Sequence, residues 1–219
     1  MARIRNTARL FRDPAYALAL SELDKEITRG GVFRVDPEGW FSRPAPIEVE
    51  IGAGKGDFIV ARARAHPTSN FLAIELGGSA FHWLMRGVID AGLPNVRALH
   101  ADARSVVNLL LPAASVAAFH IYFPDPWPKN RHQRHRLFSP PFVAGLARCI
   151  RPDGVVYLAT DVQPYFCVLS GLMRAGGFEL VQRPETDDLR GAFGRKFERA
   201  GRQIFRACYS RSGLSKPSA

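Results

Sequence analysis

The chain has 219 residues, of which 47% are hydrophobic and 23% are charged, a composition that supports a buried core and argues against wholesale disorder. Lys and Arg number 30 against 20 Asp and Glu, so the formal net charge is +10 and we expect a polyanionic partner, nucleic acid ahead of an anionic membrane. The three cysteines are far apart in sequence, which argues against a disulfide framework or a zinc site and is typical of the reducing cytoplasm.

Residues 1–46 are weakly patterned and interrupted by Gly and Pro, so we interpret them as an N-terminal arm with one helix near residues 13–27. No continuous apolar stretch follows the four arginines of the first twelve residues, as a signal peptide would require. Residues 105–124 lack charged side chains, but Pro112 and His120 favour a helix end, a turn and a buried strand over a membrane span.

From residue 47 onwards, short apolar runs alternate with helical patterns. The predicted strands are 47–51, 71–76, 96–101, 116–123 and 154–159, and the predicted helices are 57–66, 79–91, a short one ending at residue 111, 140–150 and 163–175. This alternation predicts βαβ units and a parallel sheet covered on both faces. We expect residues 178–183 and 203–209 to pair as an antiparallel edge. The predicted organisation is an arm at 1–46, a domain at 47–210 and a flexible tail at 211–219.

An acidic residue lies at or just after the end of each of five predicted strands: Glu50, Glu75, Asp102, Asp125 and Asp161. The carboxyl ends of parallel strands share one edge, where open α/β sheets bind ligands, so we expect these carboxylates to converge on a polar or cationic ligand. Acids at the starts of loops also serve as helix N-caps, and for any single one both interpretations stay open.

The turn after the first strand is rich in glycine. Gly52, Gly54 and Gly56 let the backbone turn tightly and approach a ligand closely. Asp57 stands where the dinucleotide-binding fingerprint needs its last glycine, which disfavours a dehydrogenase, and P-loop spacing is absent. The glycine spacing has the form seen in S-adenosylmethionine-dependent methyltransferases.

Two of the acids have places in such a cofactor site. Glu75 lies about twenty residues beyond the glycine turn, where an acid can accept hydrogen bonds from two ribose hydroxyls. Asp102 is placed to reach the adenine end of the cofactor. The glycine turn together with both acids therefore predicts an adenosine-containing cofactor.

The segment 123–136, with sequence FPDPWPKNRHQRHR, is the most unusual of the chain. Its three prolines stiffen the backbone around Asp125. Its last eight residues hold four positive charges and no acid, which predicts a phosphate-binding loop over a nucleotide pocket. Trp127 either stacks on a base or packs on the core. His132 and His135 lack a third ligand, so we predict no metal site.

Residues 47–206 resemble the bacterial tRNA (guanine-N7-)-methyltransferase family. The resemblance is carried by 50–56, 73–76, Asp102-Ala103, 123–136, Thr160-Asp161 and Lys196-Phe197-Glu198. It implies an α/β, Rossmann-like class I methyltransferase fold with a mostly parallel seven-stranded sheet, helices on both faces and an antiparallel edge strand. It also implies S-adenosylmethionine as methyl donor, no metal, and a tRNA whose variable-loop guanine is methylated at N7 to 7-methylguanosine.

The resemblance also implies roles for individual residues. The implied cofactor-binding residues are Glu50, Gly52, Gly54, Gly56, Glu75, Asp102 and Asp125, the last also being the implied catalytic residue. The implied substrate-binding residues are Lys129, Arg131, Arg134, Arg136, Asp161 and Glu198. Two positions depart from the family pattern: Arg195 replaces the threonine of a T-x-F-E motif, and Gly77 stands where a larger side chain such as histidine is expected.

Two alternative functions stay open at this point. Enzymes that methylate an exocyclic amine of RNA usually carry [DNS]-P-P-[YFW] after the fourth strand, whereas Asp125-Pro126-Trp127 lacks the second proline. A non-catalytic RNA-binding module on a degenerate fold is favoured by Arg195 and Gly77, but it would not need the intact cofactor acids. We expect tRNA as the partner, with no membrane and no obligate protein partner. A monomer and a homodimer are equally compatible with the sequence.

Overall fold

The computed structural model describes residues 17–18, 40–126, 136–182 and 201–212, the first pair by their backbone alone. These residues fall into two compact units, residues 1–103 and residues 104–219.

The first unit is a parallel α/β arrangement. Its strands are β1 (Ala17–Leu18), β2 (Ile47–Ile51), β3 (Asn70–Glu75) and β4 (Val96–His100), and its helices are α1 (Asp57–Ala65) and α2 (Gly78–Asp90). The strands lie in the order β1-β4-β3-β2, and the pairs β1–β4, β4–β3 and β3–β2 are all parallel. The predicted βαβ organisation is therefore confirmed in this unit.

The core of this unit explains why its strands are almost continuously apolar. Residues Asn70 to Ile74 of β3 are all buried, as expected for a strand covered on both faces. On α2 the buried residues Phe81, Leu84, Met85 and Val88 recur at helical spacing and form one apolar face. That packing fixes the carboxyl end of β3, where Glu75 lies.

The strand β1 corrects one expectation. We predicted a helix near residues 13–27, but Ala17–Leu18 is a strand that pairs in parallel with Ala98 and Leu99 of β4. This pairing gives partners to backbone groups that an edge strand would otherwise leave open. The helix prediction is wrong at these two residues, and the rest of 13–27 lies outside the described residues.

The second unit contains the antiparallel edge. A helical turn α3 (Ala103–Ser105) leads into a π-helical segment (Val106–Leu110), and then come β5 (Val116–Tyr122), α4 (Pro140–Cys149), β6 (Ile150–Thr160), α5 (Gln163–Ala175), β7 (Phe178–Leu180) and β8 (Phe205–Arg211). The order is β5-β6-β8-β7, with β5 and β6 parallel and β8 antiparallel to both β6 and β7. The predicted antiparallel pairing near the C-terminus is confirmed.

Strand β6 begins four residues earlier than the sequence predicts. Val116 pairs with Ile150 and Ala118 pairs with Val155, so the chain bulges out between these two pairs. A Cβ on Gly154 would lie 2.9 Å from the Ala117 carbonyl oxygen, which explains the glycine at the end of the bulge. Within the described ranges, no helix combines the length and the apolar character needed to cross a bilayer.

Candidate functional site

The glycine turn between β2 and α1 has an unusual backbone. Gly52, Gly54 and Gly56 have φ angles of 76°, 58° and 86°, a region that L residues with a side chain rarely adopt. The N–H groups of Gly52 and Ala53 both donate to the Ile74 carbonyl, at 2.9 and 3.1 Å. The three glycines therefore allow the turn to fold against the end of β3.

Glu75 connects this turn to the next one. Its Oε2 accepts a hydrogen bond from the N–H of Gly54 at 2.8 Å, and its Oε1 accepts one from the N–H of Gly77 at 2.6 Å. Each carboxylate oxygen can accept more than one hydrogen bond, so both keep capacity for ligand hydroxyls. Glu75 thus lies where the sequence predicts a ribose-binding acid, but its two oxygens also hold two turns together.

Gly77, one of the two departures from the family pattern, has a local structural reason. Its φ of −77° is open to any residue, so backbone conformation does not require glycine here. A Cβ at this position would lie 3.0 Å from Glu75 Oε1, which is closer than most Cβ contacts. The glycine lets the backbone approach the Glu75 carboxylate and donate to it.

Glu50 is a buried acid with a strongly shifted pKa. Its side chain is buried, and its Oε2 atom has no hydrogen-bond partner among the described residues. Burial raises the pKa of Glu50 well above its usual value, and the negative charges of Glu75 and Asp57 raise it further, whereas a hydrogen bond from the backbone of Ile59 lowers it. A cationic or N–H-bearing ligand would stabilise the ionised form of this carboxylate.

The neighbouring acid Glu48 shows the contrast. It is two residues away on β2, and its Oε2 lies 2.9 Å from Nε of Arg62 on α1, with both side chains largely buried. The charge of Glu48 is therefore balanced within the protein. By contrast, the Glu50 oxygen that bonds to none of the described residues fits a positively charged cofactor.

Asp102 completes the group of acids in the first unit. The register of β3 and β4 pairs Glu75 with His100, and the N–H of Ala101 donates to the Glu75 carbonyl at 3.1 Å. Asp102 is the next residue, half-buried at the same edge. The parallel register thus brings Glu50, Glu75 and Asp102 to the carboxyl ends of adjacent strands, as the sequence predicts.

The second unit holds Asp125 just beyond β5. The N–H of Phe123 donates to the Ala159 carbonyl at 2.7 Å, which ties this segment to β6. Phe123 has a φ of 51°, a left-handed conformation that is strained for a residue with a side chain. Asp125 is exposed two residues later. The predicted catalytic acid therefore follows directly on a strained and anchored backbone.

Arg136 and Tyr165 lie close to this acid. Arg136 donates from Nε to the Pro126 carbonyl at 2.8 Å, and its Cζ lies 5.3 Å from the ring centroid of Tyr165. The Tyr165 hydroxyl is buried and has no hydrogen-bond partner in the described part of the chain. Burial raises the pKa of Tyr165 to about 12, with Arg136 lowering it and Asp125 raising it. Tyr165 was not among the predicted site residues, because an aromatic residue in the first turn of a helix is more often part of the core.

Asp161 pairs with Arg202, which was not among the predicted site residues. Its Oδ2 accepts a hydrogen bond from Nη1 of Arg202 at 2.6 Å. The preceding Thr160 is buried, and its Oγ1 accepts a hydrogen bond from the N–H of Val162 at 3.2 Å, which fixes the start of α5. The two long-separated residues meet because β6 and β8 are neighbours in the sheet.

Several predicted positions lie outside the described residues, and their roles stay predictions. They are Trp127, Lys129, Arg131, His132, Arg134, His135, Arg195 and Glu198. Among the residues that are described, no group of three or more His, Cys, Asp or Glu side chains could hold a metal ion.

The first unit also contains a cavity of about 290 Å³. Asn70, at the start of β3, and Asn95, just before β4, line it, so it lies at the opposite ends of these strands from Glu75. None of the predicted site residues lines this cavity. We therefore assign it no part in the candidate site.

The fold is similar to those of solved methyltransferases. The 16S rRNA methyltransferase KamB aligns with a TM-score of 0.57 and 18% identity, over 76% of this chain and 88% of that one. A second similar structure is that of a mutant 16S rRNA (adenine(1408)-N(1))-methyltransferase from Catenulisporales acidiphilia, solved with cosubstrate SAM. It aligns with a TM-score of 0.55 and 16% identity, over 84% of this chain and 95% of that one. The chain therefore has the Rossmann-like class I methyltransferase fold.

A family model described as "Putative methyltransferase" matches residues 44–207. A tRNA (guanine-N(7)-)-methyltransferase of Leifsonia xyli subsp. xyli is 38% identical over 78% of this chain and 78% of its own length. The protein of the same name from Sodalis glossinidius is 34% identical over 78% of this chain and 72% of its own length. The tRNA (guanine-N(7)-)-methyltransferase of Verminephrobacter eiseniae is 42% identical over 58% of this chain and 46% of its own length. This chain belongs to the tRNA (guanine-N(7)-)-methyltransferase family.

Proposed function

We propose that this protein transfers a methyl group from S-adenosylmethionine to N7 of a guanine in the variable loop of tRNA, forming 7-methylguanosine. The observation that carries this proposal is the 38% identity, over 78% of the chain, to a relative named for guanine-N7 methylation of tRNA. The described acids and the glycine turn give the chemistry a physical basis, because they supply groups that a sulfonium cofactor requires.

The cofactor would be held by residues of the first unit: Glu50, Gly52, Gly54, Gly56, Glu75 and Asp102. Glu50 Oε2 is buried and bonds to no group within the described ranges, so a positively charged or N–H-bearing group would satisfy it. The Glu75 oxygens keep acceptor capacity for hydroxyls. When bound, S-adenosylmethionine supplies an electrophilic methyl group on a sulfonium.

Asp125 is the residue to which we assign catalysis. N7 of neutral guanine carries a free lone pair, so the base needs no deprotonation before it attacks the methyl group. Positive charge develops on the purine as the methyl group is transferred. The Asp125 carboxylate would stabilise that charge, directly or by holding the Watson–Crick edge of guanine. Asp125 would thus act by orienting guanine and stabilising its developing charge, and not as a general base.

The basic residues of the chain would supply most of the affinity for RNA. Lys129, Arg131 and Arg134 lie in the stretch after Asp125, and residues 183–219 hold nine Lys or Arg against four acids. Each phosphate contact releases counterions, so tRNA binding should weaken steeply as salt rises. We place catalysis in residues 47–210, with the arm and the tail outside it, and expect the protein in the cytoplasm.

Nucleoside analysis tests the proposal. Unmodified tRNA is incubated with the protein and with donor carrying a labelled methyl group, and the labelled nucleoside is identified after digestion. We expect 7-methylguanosine. A labelled exocyclic amine of adenine or guanine would contradict the proposal in favour of an amine methyltransferase. No labelled product, together with tRNA binding and no heat of S-adenosylmethionine binding by calorimetry, would contradict it in favour of a non-catalytic RNA-binding module.

A further inference from the structure

We propose that Arg136 and Tyr165 form a positioning pair that holds Asp125 for catalysis, and that Arg136 acts through the loop backbone and not through an RNA phosphate. The inference rests on the proposed function. It differs from the role that the family resemblance implies for Arg136, which is contact with RNA. Three sets of contacts within the second unit carry it.

The first is the hydrogen bond between Arg136 and the loop itself. Nε of Arg136 donates to the Pro126 carbonyl at 2.8 Å, so the side chain joins the two ends of the segment from 126 to 136. Pro126 directly follows Asp125, and the proline ring fixes its own φ angle. Holding the Pro126 carbonyl therefore restrains the peptide next to the catalytic carboxylate.

The second is the stacking of Arg136 on Tyr165. The guanidinium lies 5.3 Å from the ring centroid, within the range of a cation–π contact. Tyr165 is only 4% exposed and belongs to the first turn of α5, so its ring is a fixed surface of the core. Arg136 is half-buried against it. The arginine thus connects a rigid helix to the loop that carries Asp125.

The third is the anchor on the other side of Asp125. The N–H of Phe123 donates to the Ala159 carbonyl of β6 at 2.7 Å, and Phe123 keeps a strained φ of 51°. Asp125 is therefore flanked by a backbone anchor two residues before it and by the Arg136 contact one residue after it. Strained backbone persists only where the surroundings hold it, and the short segment from Phe123 to Pro126 is held by a hydrogen bond at each of these two residues.

Positioning and phosphate contact predict different results for Arg136→Gln. Methyl transfer to RNA is measured at saturating tRNA, together with the Kd for tRNA at several salt concentrations. If Arg136 positions Asp125, the variant should transfer methyl groups about tenfold to a hundredfold more slowly than the wild type, and its Kd for tRNA should stay within about twofold. The salt slope, which is the dependence of that Kd on salt concentration, should be unchanged. Arg131→Gln serves as the comparison for a phosphate contact, and Arg174→Gln, at an exposed position near the end of α5, controls for loss of one charge. Arg136→Gln that lowers the salt slope and the affinity, with the saturated rate unchanged, would overturn the proposal.

Tyr165 gives a second and independent test. Tyr165→Phe keeps the ring and removes only a hydroxyl that bonds to none of the described residues, so we expect a rate within about twofold of the wild type. Tyr165→Leu removes the aromatic surface and should lower the rate as Arg136→Gln does. A Tyr165→Phe variant as slow as Tyr165→Leu would show that the rate depends on the hydroxyl and not on the aromatic ring. That result would contradict the proposed pair.

A double variant separates positioning from general loss of structure. If Arg136 acts through Asp125, Arg136→Gln should slow the wild type but should slow Asp125→Asn little further. Equal slowing in both backgrounds would overturn the proposal. The rate is counted as label transferred to RNA, and the modified nucleoside is identified separately. An unexpected nucleoside would therefore contradict the proposed function and leave the rate comparison valid.

Discussion

The Arg202 guanidinium lies 2.6 Å from the Asp161 carboxylate, although the two residues are 41 positions apart in the chain. Strands β6 and β8 bring them together, because Thr160 pairs with Phe205 and the segments beyond this pair run side by side. The Asp161 side chain is 11% exposed and that of Arg202 is 58% exposed. Asp161, for which the family resemblance implies substrate binding, thus forms an ion pair with Arg202 of the C-terminal segment.

This pair should couple modestly in stability. In a double-mutant cycle of Asp161→Asn and Arg202→Gln, measured by urea unfolding, we expect a coupling free energy of about 0.2–1 kcal/mol, because solvent screens the exposed guanidinium. The matched control is the pair of Arg86 and Asp90 on α2, 2.8 Å apart and 60% exposed on both sides. Only the first cycle should also change methyl transfer. Equal effects of both cycles on activity would contradict a role for Asp161 at the site.

Glu50 makes stability depend on pH. Its raised pKa means that the folded state holds a proton on Glu50 more tightly than the unfolded state does. The stability gained from this proton is therefore fully present below the unfolded pKa of 4.5 and is lost as the pH rises through the folded pKa. Without cofactor, Glu50→Gln should therefore unfold at a higher temperature than the wild type at about pH 8, and the difference should shrink as the pH approaches 5. Thermal unfolding at both pH values measures this.

The control for that experiment is Glu48→Gln. Glu48 forms a buried ion pair with Arg62, so removing its charge abolishes the attraction within this pair and should destabilise the protein by about 3–5 kcal/mol. Glu50→Gln should also weaken S-adenosylmethionine binding in calorimetry. A stabilised variant that binds the cofactor as the wild type does would contradict the cofactor role of Glu50.

Asp125 should affect the rate more than it affects binding. We expect Asp125→Ala to fold and to bind tRNA, but to lose roughly a hundredfold or more in the rate of methyl transfer, as for other single electrostatic contacts to a transition state. Single-turnover kinetics at saturating tRNA measure the effect. Turnover close to that of the wild type would contradict the assigned role.

Gly56 combines two constraints that a pair of variants can separate. Its φ of 86° is left-handed, and an added Cβ would lie 2.6 Å from Leu84 Cδ1. Gly56→Ala should therefore lower the free energy of unfolding by about 1–2 kcal/mol through backbone strain and by about 1–3 kcal/mol more through overpacking. Gly92→Ala is the control, because its φ is 59° and an added Cβ would meet no atom of the described residues within 4 Å. Equal losses in both variants would show that the contact with Leu84 is relieved at little cost.

Much of the fold follows from local sequence patterns. Helix α2 begins one residue earlier and ends one residue earlier than its apolar spacing and Gly92 predict, and β2 matches its predicted range. Such elements are predictable because periodicity and glycine stops act over a few residues. Strand β1 and the early start of β6 were not predicted, because each depends on pairing with a distant strand.

The site was predictable in part for the same reason. The parallel register alone places Glu50, Glu75 and Asp102 at one edge of the first unit, so strand ends sufficed to predict their grouping. The partners of Arg136 and Asp161 could not be predicted, because Tyr165 and Arg202 reach them only through tertiary packing. Nothing in the local sequence distinguishes Tyr165 from a core aromatic residue.

A tRNA with a single altered atom tests the central claim most directly. The variable-loop guanosine is replaced by 7-deazaguanosine, which keeps the Watson–Crick edge and has carbon in place of N7, and methyl transfer is measured beside the unmodified transcript. We predict transfer to the unmodified tRNA and none to the substituted one. Undiminished transfer to the substituted tRNA would contradict methylation at N7.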